Sequence, residues 1–91
     1  MAKRRVQNTK ASSRDKEIDR IIGEAIRSHR AEAGLSQREL GESLGVTFQQ
    51  IQKYESGKNS VSASRIPDVC NAVRVSADEL FEGTGIRKAK R

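Results

Sequence analysis

Large apolar side chains recur along this chain at helical spacing, and short polar stretches separate the runs. Between residues 15 and 33, Ile18, Ile22, Ala25 and Ile26 follow the i, i+3, i+4 spacing of one helix face, with His29 at its edge. The strict alternation of apolar and polar positions that marks a strand does not occur over any length. The pattern predicts an all-α fold of five short helices joined by tight turns.

Capping signals predict where the later helices begin. Ser36, Thr47 and Ser76 are each followed three residues later by Gln or Glu, which is the spacing of a capping box. Proline is tolerated only in the first turn of a helix, so Pro67 places the start of the fourth helix near residue 64 or 65. Gly83 is expected to end the fifth helix.

Residues 37–56 predict two short helices around a tight turn, which is a helix-turn-helix. Gly45 falls where the first of these helices must end, and glycine adopts the left-handed conformation without a Cβ penalty. Gly41 lies inside that helix, where glycine costs roughly 1 kcal/mol relative to alanine. A residue this small is expected if the next helix passes close over it. Such a motif makes its second helix project from the protein surface.

The outer face of that second helix, the third of the chain, has the chemistry of a DNA-reading surface. If Ile51 faces the core, a helical wheel places Tyr54 and Thr47 on the inner side. Glutamine can pair with the adenine edge, and lysine can reach the acceptors of guanine. Gln50 is expected at the side. The side chains predicted to point outward are Gln49, Gln52, Lys53 and Ser56.

Two further residues of this helix, Phe48 and Glu55, have expected roles other than hydrogen bonding to a base. Phe48, near its start, is expected either to contact a thymine methyl group or to pack against the preceding helix. Glu55 is expected to be structural and to make no base contact.

Charge is distributed unevenly along the 91 residues, which carry a net charge of +6. Residues 1–16 contain six basic side chains and one acidic, residues 84–91 contain four basic side chains, and residues 17–83 contain eight basic against eleven acidic. We expect a disordered basic arm (1–14), a helix-turn-helix domain (15–83) and a basic tail (84–91). Basic arms suit nucleic acid, although a merely solubilising terminus explains either tail equally well.

Phosphate contacts are expected on both sides of the motif. Gln37, at the start of the second helix, could donate its amide to a phosphate oxygen, and the free N–H groups at helix starts favour anions. Lys58, Asn59 and Ser60 follow the third helix and could reach the opposite rim.

The sequence gives little support for a disulfide-bonded, membrane-bound, catalytic or metal-binding protein. Cys70 is the single cysteine, so no internal disulfide is possible, and its place on an apolar stripe indicates a small core residue. We expect a cytoplasmic, nucleoid-associated protein with no membrane segment, because no signal peptide or long apolar run occurs. No paired nucleophile and base, no Cys/His cluster and no phosphate-cradling glycine loop occur, so neither catalysis nor a metal or cofactor is expected.

The chain resembles the lambda-repressor-like helix-turn-helix family, also called XRE or Cro-like. The similarity lies in GLSQRELGESLGVTFQQIQKYESGK (34–58) and IPDVCNAVRVSADELF (66–81). It covers about residues 17–83. Two positions depart from the family pattern: Gly41 stands where alanine is commoner, and Phe48 where a polar residue is typical.

The resemblance implies a compact five-helix domain that binds double-stranded DNA with its third helix in the major groove. It also implies a homodimer on a two-fold symmetric operator, with half-sites about one helical turn apart. Dimer contacts are expected at Val61, Ile66, Leu80 and Phe81. By position, the base-contacting residues are Thr47, Phe48, Gln49, Gln52 and Lys53, and the phosphate-contacting residues are Arg30, Gln37, Lys58, Asn59 and Ser60.

These features favour a sequence-specific transcriptional regulator, most simply a small repressor that blocks polymerase by occupying DNA. The length predicts one domain and no separate ligand sensor. One alternative is the antitoxin of a toxin–antitoxin pair, which would use the same domain on its own operator and also bind a protein partner. A protein-binding adaptor is another alternative.

Overall fold

The structure is a computed structural model and describes residues 13–86 of the chain. Its five α-helices confirm the all-α prediction, and no strand occurs in this range. The elements are α1 (Ser13–Glu32), α2 (Gln37–Leu44), α3 (Phe48–Ser56), a 3-10 turn (Ala63–Arg65), α4 (Ile66–Val73) and α5 (Ala77–Phe81).

The helix boundaries differ from prediction at several ends. Helix α1 begins two residues before Asp15, and it ends one residue before Ala33. A 3-10 turn occupies the predicted start of α4, so Pro67 lies in the first turn of the α-helix proper. Helix α5 ends at Phe81 rather than at Gly83, because Glu82 is already extended. Most of the predicted arm and tail lie outside the described residues.

Side-chain caps define the starts of α2, α3 and α5. The predicted capping boxes at Ser36 and Ser76 are both complete. At Thr47 only half of the predicted box forms: the Gln50 backbone N–H donates to Thr47 Oγ1 at 3.2 Å. The Gln50 side chain donates instead to Asn59 Oδ1 at 3.2 Å, in the loop after α3. In a complete box the Gln50 side chain would accept from the Thr47 backbone N–H, so a tertiary partner replaces the local one.

Each α-helix contributes one fully buried aliphatic residue to a single core. Cys70 is also buried there, as predicted, and burial raises the pKa of its thiol, so the thiol is poorly reactive. The fully buried set comprises Ile26, Leu40, Ile51, Val69 and Leu80.

The burial of Leu80 overturns one prediction. We expected this residue at a dimer interface, but it is completely buried within its own chain and has no surface to offer. Val61, Ile66 and Phe81 are only partly buried, and all three pack against the core.

Two glycines allow helices and turns to approach closely. A Cβ at Gly23, in the middle of α1, would collide with the Tyr54 and Glu55 carbonyl groups of α3. A Cβ at Gly41 would lie 2.6 Å from the Val46 carbonyl oxygen. The close neighbour of Gly41 is thus the turn before α3, rather than α3 itself. Gly45 ends α2 in the left-handed conformation, as predicted.

None of the helices within residues 13–86 is both long enough and apolar enough to span a membrane.

Candidate nucleic-acid interface

Helix α3 turns a polar face to solvent. Ile51 is buried and Tyr54 is half-buried, whereas the four residues predicted to point outward, Gln49, Gln52, Lys53 and Ser56, are exposed. The helical wheel placed Thr47 on the inner side, and this was wrong, because Thr47 is exposed. Thr47 is the N-cap of α3, and its backbone is extended (φ −77°, ψ 162°). A helical wheel therefore does not describe the direction of its side chain. The base contact of Thr47 stays a prediction.

Three side chains on that face have unused hydrogen-bonding capacity. Within residues 13–86, Gln49, Gln52 and Lys53 form no side-chain hydrogen bond or ion pair. An exposed row of two amides and one ammonium group can donate to, and accept from, the edges of bases in a major groove.

The opposite face of α3 contains a buried charge network centred on Glu55, whose side chain is 3% exposed. Arg30 of α1 donates from Nε to Glu55 Oε2 at 2.6 Å and from Nη2 to Oε1 at 3.1 Å. Gln37 of α2 donates from Nε2 to the same Oε1 at 2.9 Å. A buried carboxylate is costly unless it is paired and hydrogen-bonded, and here both conditions hold. The network joins α1, α2 and α3.

The same network includes two residues predicted to contact phosphate. Arg30 also donates from Nη1 to the Leu35 carbonyl oxygen at 2.8 Å, and its side chain is only 14% exposed. Gln37 donates one of its two amide hydrogens to Glu55, and the other stays available for a further hydrogen bond. Their phosphate contacts stay predictions. Sequence reasoning assigned Glu55 a structural role but missed both of its partners.

Phe48 begins α3 and is half-buried. The guanidinium carbon of Arg38, in α2, lies 4.7 Å from the centre of its ring. This distance is within the range of a cation–π contact. Of the two roles weighed for Phe48, packing against α2 is the one that the structure contains. A thymine contact stays a prediction.

The loop after α3 forms the other rim of the motif. Gly57 ends the helix in the left-handed conformation, and a Cβ there would lie 2.7 Å from the Arg20 Cα. Ser60 Oγ donates to Asp19 Oδ2 at 2.5 Å, and Asn59 Oδ1 accepts from Gln50.

Lys58 differs from these neighbours. Its side chain is exposed and forms no ion pair or hydrogen bond within the described part of the chain. Of the three loop residues predicted to contact phosphate, Lys58 is therefore the one with its side chain uncommitted, while the Asn59 and Ser60 side chains have internal partners.

Comparison with known proteins agrees with this geometry. A family described as Helix-turn-helix matches residues 26–80. An uncharacterized HTH-type transcriptional regulator of Sinorhizobium medicae (strain WSM419) is 51% identical over 65 residues, which cover 71% of this chain and 47% of that protein. An uncharacterized transcriptional regulator in the ATPase CF(0) region of Rhodospirillum rubrum is 44% identical over 64 residues, which cover 70% of this chain and 59% of that protein. The chain spans about half the length of the curated relatives it matches.

Solved structures show the same fold. The clp gene regulator ClgR from Corynebacterium glutamicum superposes with a TM-score of 0.68 at 35% identity, over 75% of this chain and 88% of that one. The restriction-modification controller protein C.AhdI from Aeromonas hydrophila gives a TM-score of 0.64 at 29% identity, over 68% of this chain and 94% of that one. With the family match over residues 26–80, these similarities show that the chain belongs to the lambda-repressor-like helix-turn-helix family, and the relatives named here are regulators.

Proposed function

We propose that this protein is a sequence-specific regulator of transcription that binds duplex DNA with α3 in the major groove. The observation that carries this proposal is the outer face of α3, where Gln49, Gln52 and Lys53 are exposed and unpaired within residues 13–86. The inner face of the same helix is fixed by the buried Glu55 network. A rigid helix with free donors and acceptors is suited to reading base edges.

The simplest regulatory effect is repression of transcription, because a protein that binds an operator blocks polymerase without any further activity. We infer a homodimer on a palindromic operator, as is usual for this motif, where half-site spacing reflects the symmetry of the protein. Val61, Ile66 and Phe81 remain the candidate dimer contacts. The basic arm and tail would add sequence-independent attraction to the phosphates, and a DNA-bound role places the protein in the cytoplasm with the nucleoid.

Selection from a random duplex library at moderate salt, followed by sequencing, tests the proposal. We expect enrichment of a palindrome with half-sites about one helical turn apart. Salt-sensitive binding to every duplex without enrichment would contradict sequence-specific recognition and would favour the adaptor alternative. Enrichment of a single half-site without a palindrome would support base reading and contradict the homodimer.

A further inference from the structure

Arg38 has a defined environment that the predicted DNA contacts do not include. It is the second residue of α2, it is exposed, and its guanidinium group lies over the ring of Phe48 at 4.7 Å. A cation over an aromatic face is attracted by the quadrupole of the ring, which restrains an otherwise flexible side chain. The contact joins the first turn of α2 to the first turn of α3.

The position of Arg38 is unfavourable for a cation when the protein is alone. The start of a helix carries partial positive charge, so the helix dipole disfavours a basic residue there. The nearest acid in the same turn, Glu39, accepts the Ser36 backbone N–H at 2.8 Å in the capping box. Helix α2 contains no basic residue in its last turn, where the dipole would favour one.

The hydrogen-bond donors of Arg38 are also unused. Within residues 13–86 its guanidinium forms no hydrogen bond or ion pair, whereas Arg30 donates to Glu55 and Arg65 donates to the Leu44 carbonyl oxygen at 2.8 Å. The contact with the Phe48 ring therefore leaves the guanidinium N–H groups at its edge without an acceptor within residues 13–86. That edge is the part of arginine that binds phosphate through two parallel hydrogen bonds.

We propose that Arg38 contacts a backbone phosphate of the bound DNA and that Phe48 is the platform that orients it. This inference rests on the proposed DNA-binding function. In a helix-turn-helix the first helix of the motif crosses the DNA backbone while the second enters the groove. Arg38 lies where these two helices begin, beside Phe48, so its free edge is placed at the border between backbone and groove. Phe48 then acts through Arg38 and not through a base.

Salt-dependent affinity of variants tests this assignment. We would titrate the full chain and its R38A, R38K, F48L and R38A/F48L variants on the selected duplex and on an unrelated duplex. R38A should weaken binding to both duplexes by a similar factor, roughly tenfold, and should lower the slope of log affinity against log salt by about one. R38K should keep most of the slope and lose part of the affinity.

The effect of F48L should depend on Arg38. Leucine keeps an apolar side chain but removes the ring, so F48L should weaken binding less than R38A does. In the R38A background the same change should have almost no further effect, because the platform would then orient nothing. Independent losses in the double variant would contradict the platform role.

A matched control is available in α1. Arg27 is exposed and paired only with Glu24 at 3.4 Å, so R27A removes the same charge from a different helix. If R38A changes affinity and slope no more than R27A, the proposal is wrong. If R38A instead lost discrimination at one base pair of the selected duplex, Arg38 would contact a base rather than a phosphate, and the proposal would also be wrong. Failure of the unmodified protein to prefer any duplex would refute the proposed function instead, before any variant is compared.

Discussion

The two faces of α3 are built in opposite ways. On the inner face, Ile51 is 1% exposed, Glu55 is held by two other helices, and the backbone of α1 approaches at Gly23 so closely that a methyl group would not fit. On the outer face, Gln49 and Gln52 have no partner within residues 13–86. Stability and recognition are therefore assigned to different faces of one helix, and substitutions on the two faces should affect different measurements.

The largest effect is expected from Glu55→Ala on the inner face. This change removes the acceptor of Arg30 and Gln37 and leaves a largely buried guanidinium without its carboxylate. Breaking such a buried pair costs about 3–5 kcal/mol of unfolding free energy. Urea denaturation followed by circular dichroism would measure the loss.

Glu24→Ala serves as the control for Glu55→Ala. Glu24 pairs with Arg27 at the surface, where an ion pair contributes at most about 1 kcal/mol. If both variants lost equally little stability, the Glu55 network would not be what holds the inner face of α3 to α1 and α2.

Gly23→Ala should be the next largest change, and its sign is informative. Helix propensity alone predicts a gain of roughly 1 kcal/mol, because Gly23 lies in the middle of α1. The structure predicts a loss of about 1–3 kcal/mol, because the new methyl group would displace α3 at Tyr54 and Glu55. Thermal unfolding decides between the two. Ser28→Ala, at an exposed position of the same helix, should be nearly neutral or slightly stabilising.

On the outer face, Gln49→Ala should leave stability within about 0.5 kcal/mol of the original, because the side chain is exposed. It should instead cost roughly 1–3 kcal/mol of discrimination at one base pair. Competition among all single-base-pair variants of the selected duplex would reveal that position. An equal loss on every sequence would mean that Gln49 does not read a base. Asn71→Ala, exposed on α4, is the control.

The smallest effect is expected at the edge of the outer face, where Asp19 holds Ser60 in the loop that contains Lys58. Simple charge repulsion predicts that removing Asp19 tightens DNA binding. If the hydrogen bond positions Lys58 for a phosphate, Asp19→Ala should instead weaken binding by a factor of about 2–10.

Asp19→Asn separates these two explanations, because it removes the same charge but keeps an oxygen that can accept from Ser60. It should bind DNA at least as well as the original protein. Affinities by fluorescence anisotropy suffice, and equal tightening by both substitutions would contradict a positioning role for Asp19.

The features that sequence predicted well are local ones. Complete capping boxes at Ser36 and Ser76 and the left-handed turn at Gly45 involve residues within a few positions of each other, so the sequence spacing specifies them directly. The outward set on α3 followed from helical periodicity once Ile51 was placed in the core. Both kinds of inference need no knowledge of how the helices cross.

The features that were missed or wrong depend on tertiary packing. Arg30 and Glu55 are 25 residues apart, and Gln37 and Glu55 are 18 apart, so only the crossing of three helices brings them together. Gln50 meets the spacing of a capping box, but its side chain donates to Asn59 in the loop after α3 instead of accepting from the Thr47 backbone N–H. Gly23 carried a readable signal, since a glycine inside a long helix suggests a close contact, and the argument applied to Gly41 would have found it.

The pairing of Glu55 with Arg30 also changes what a distant phosphate experiences. Helix α3 carries two charged side chains, Lys53 and Glu55, so its formal charge is zero. The Glu55 carboxylate is neutralised by a guanidinium at 2.6 Å, and a pair of opposite charges this close acts at a distance as a dipole, whose potential decays faster than that of a single ion. Lys53 has no such counter-charge within residues 13–86. To an approaching polyanion the helix is therefore a monocation, even though its composition is neutral.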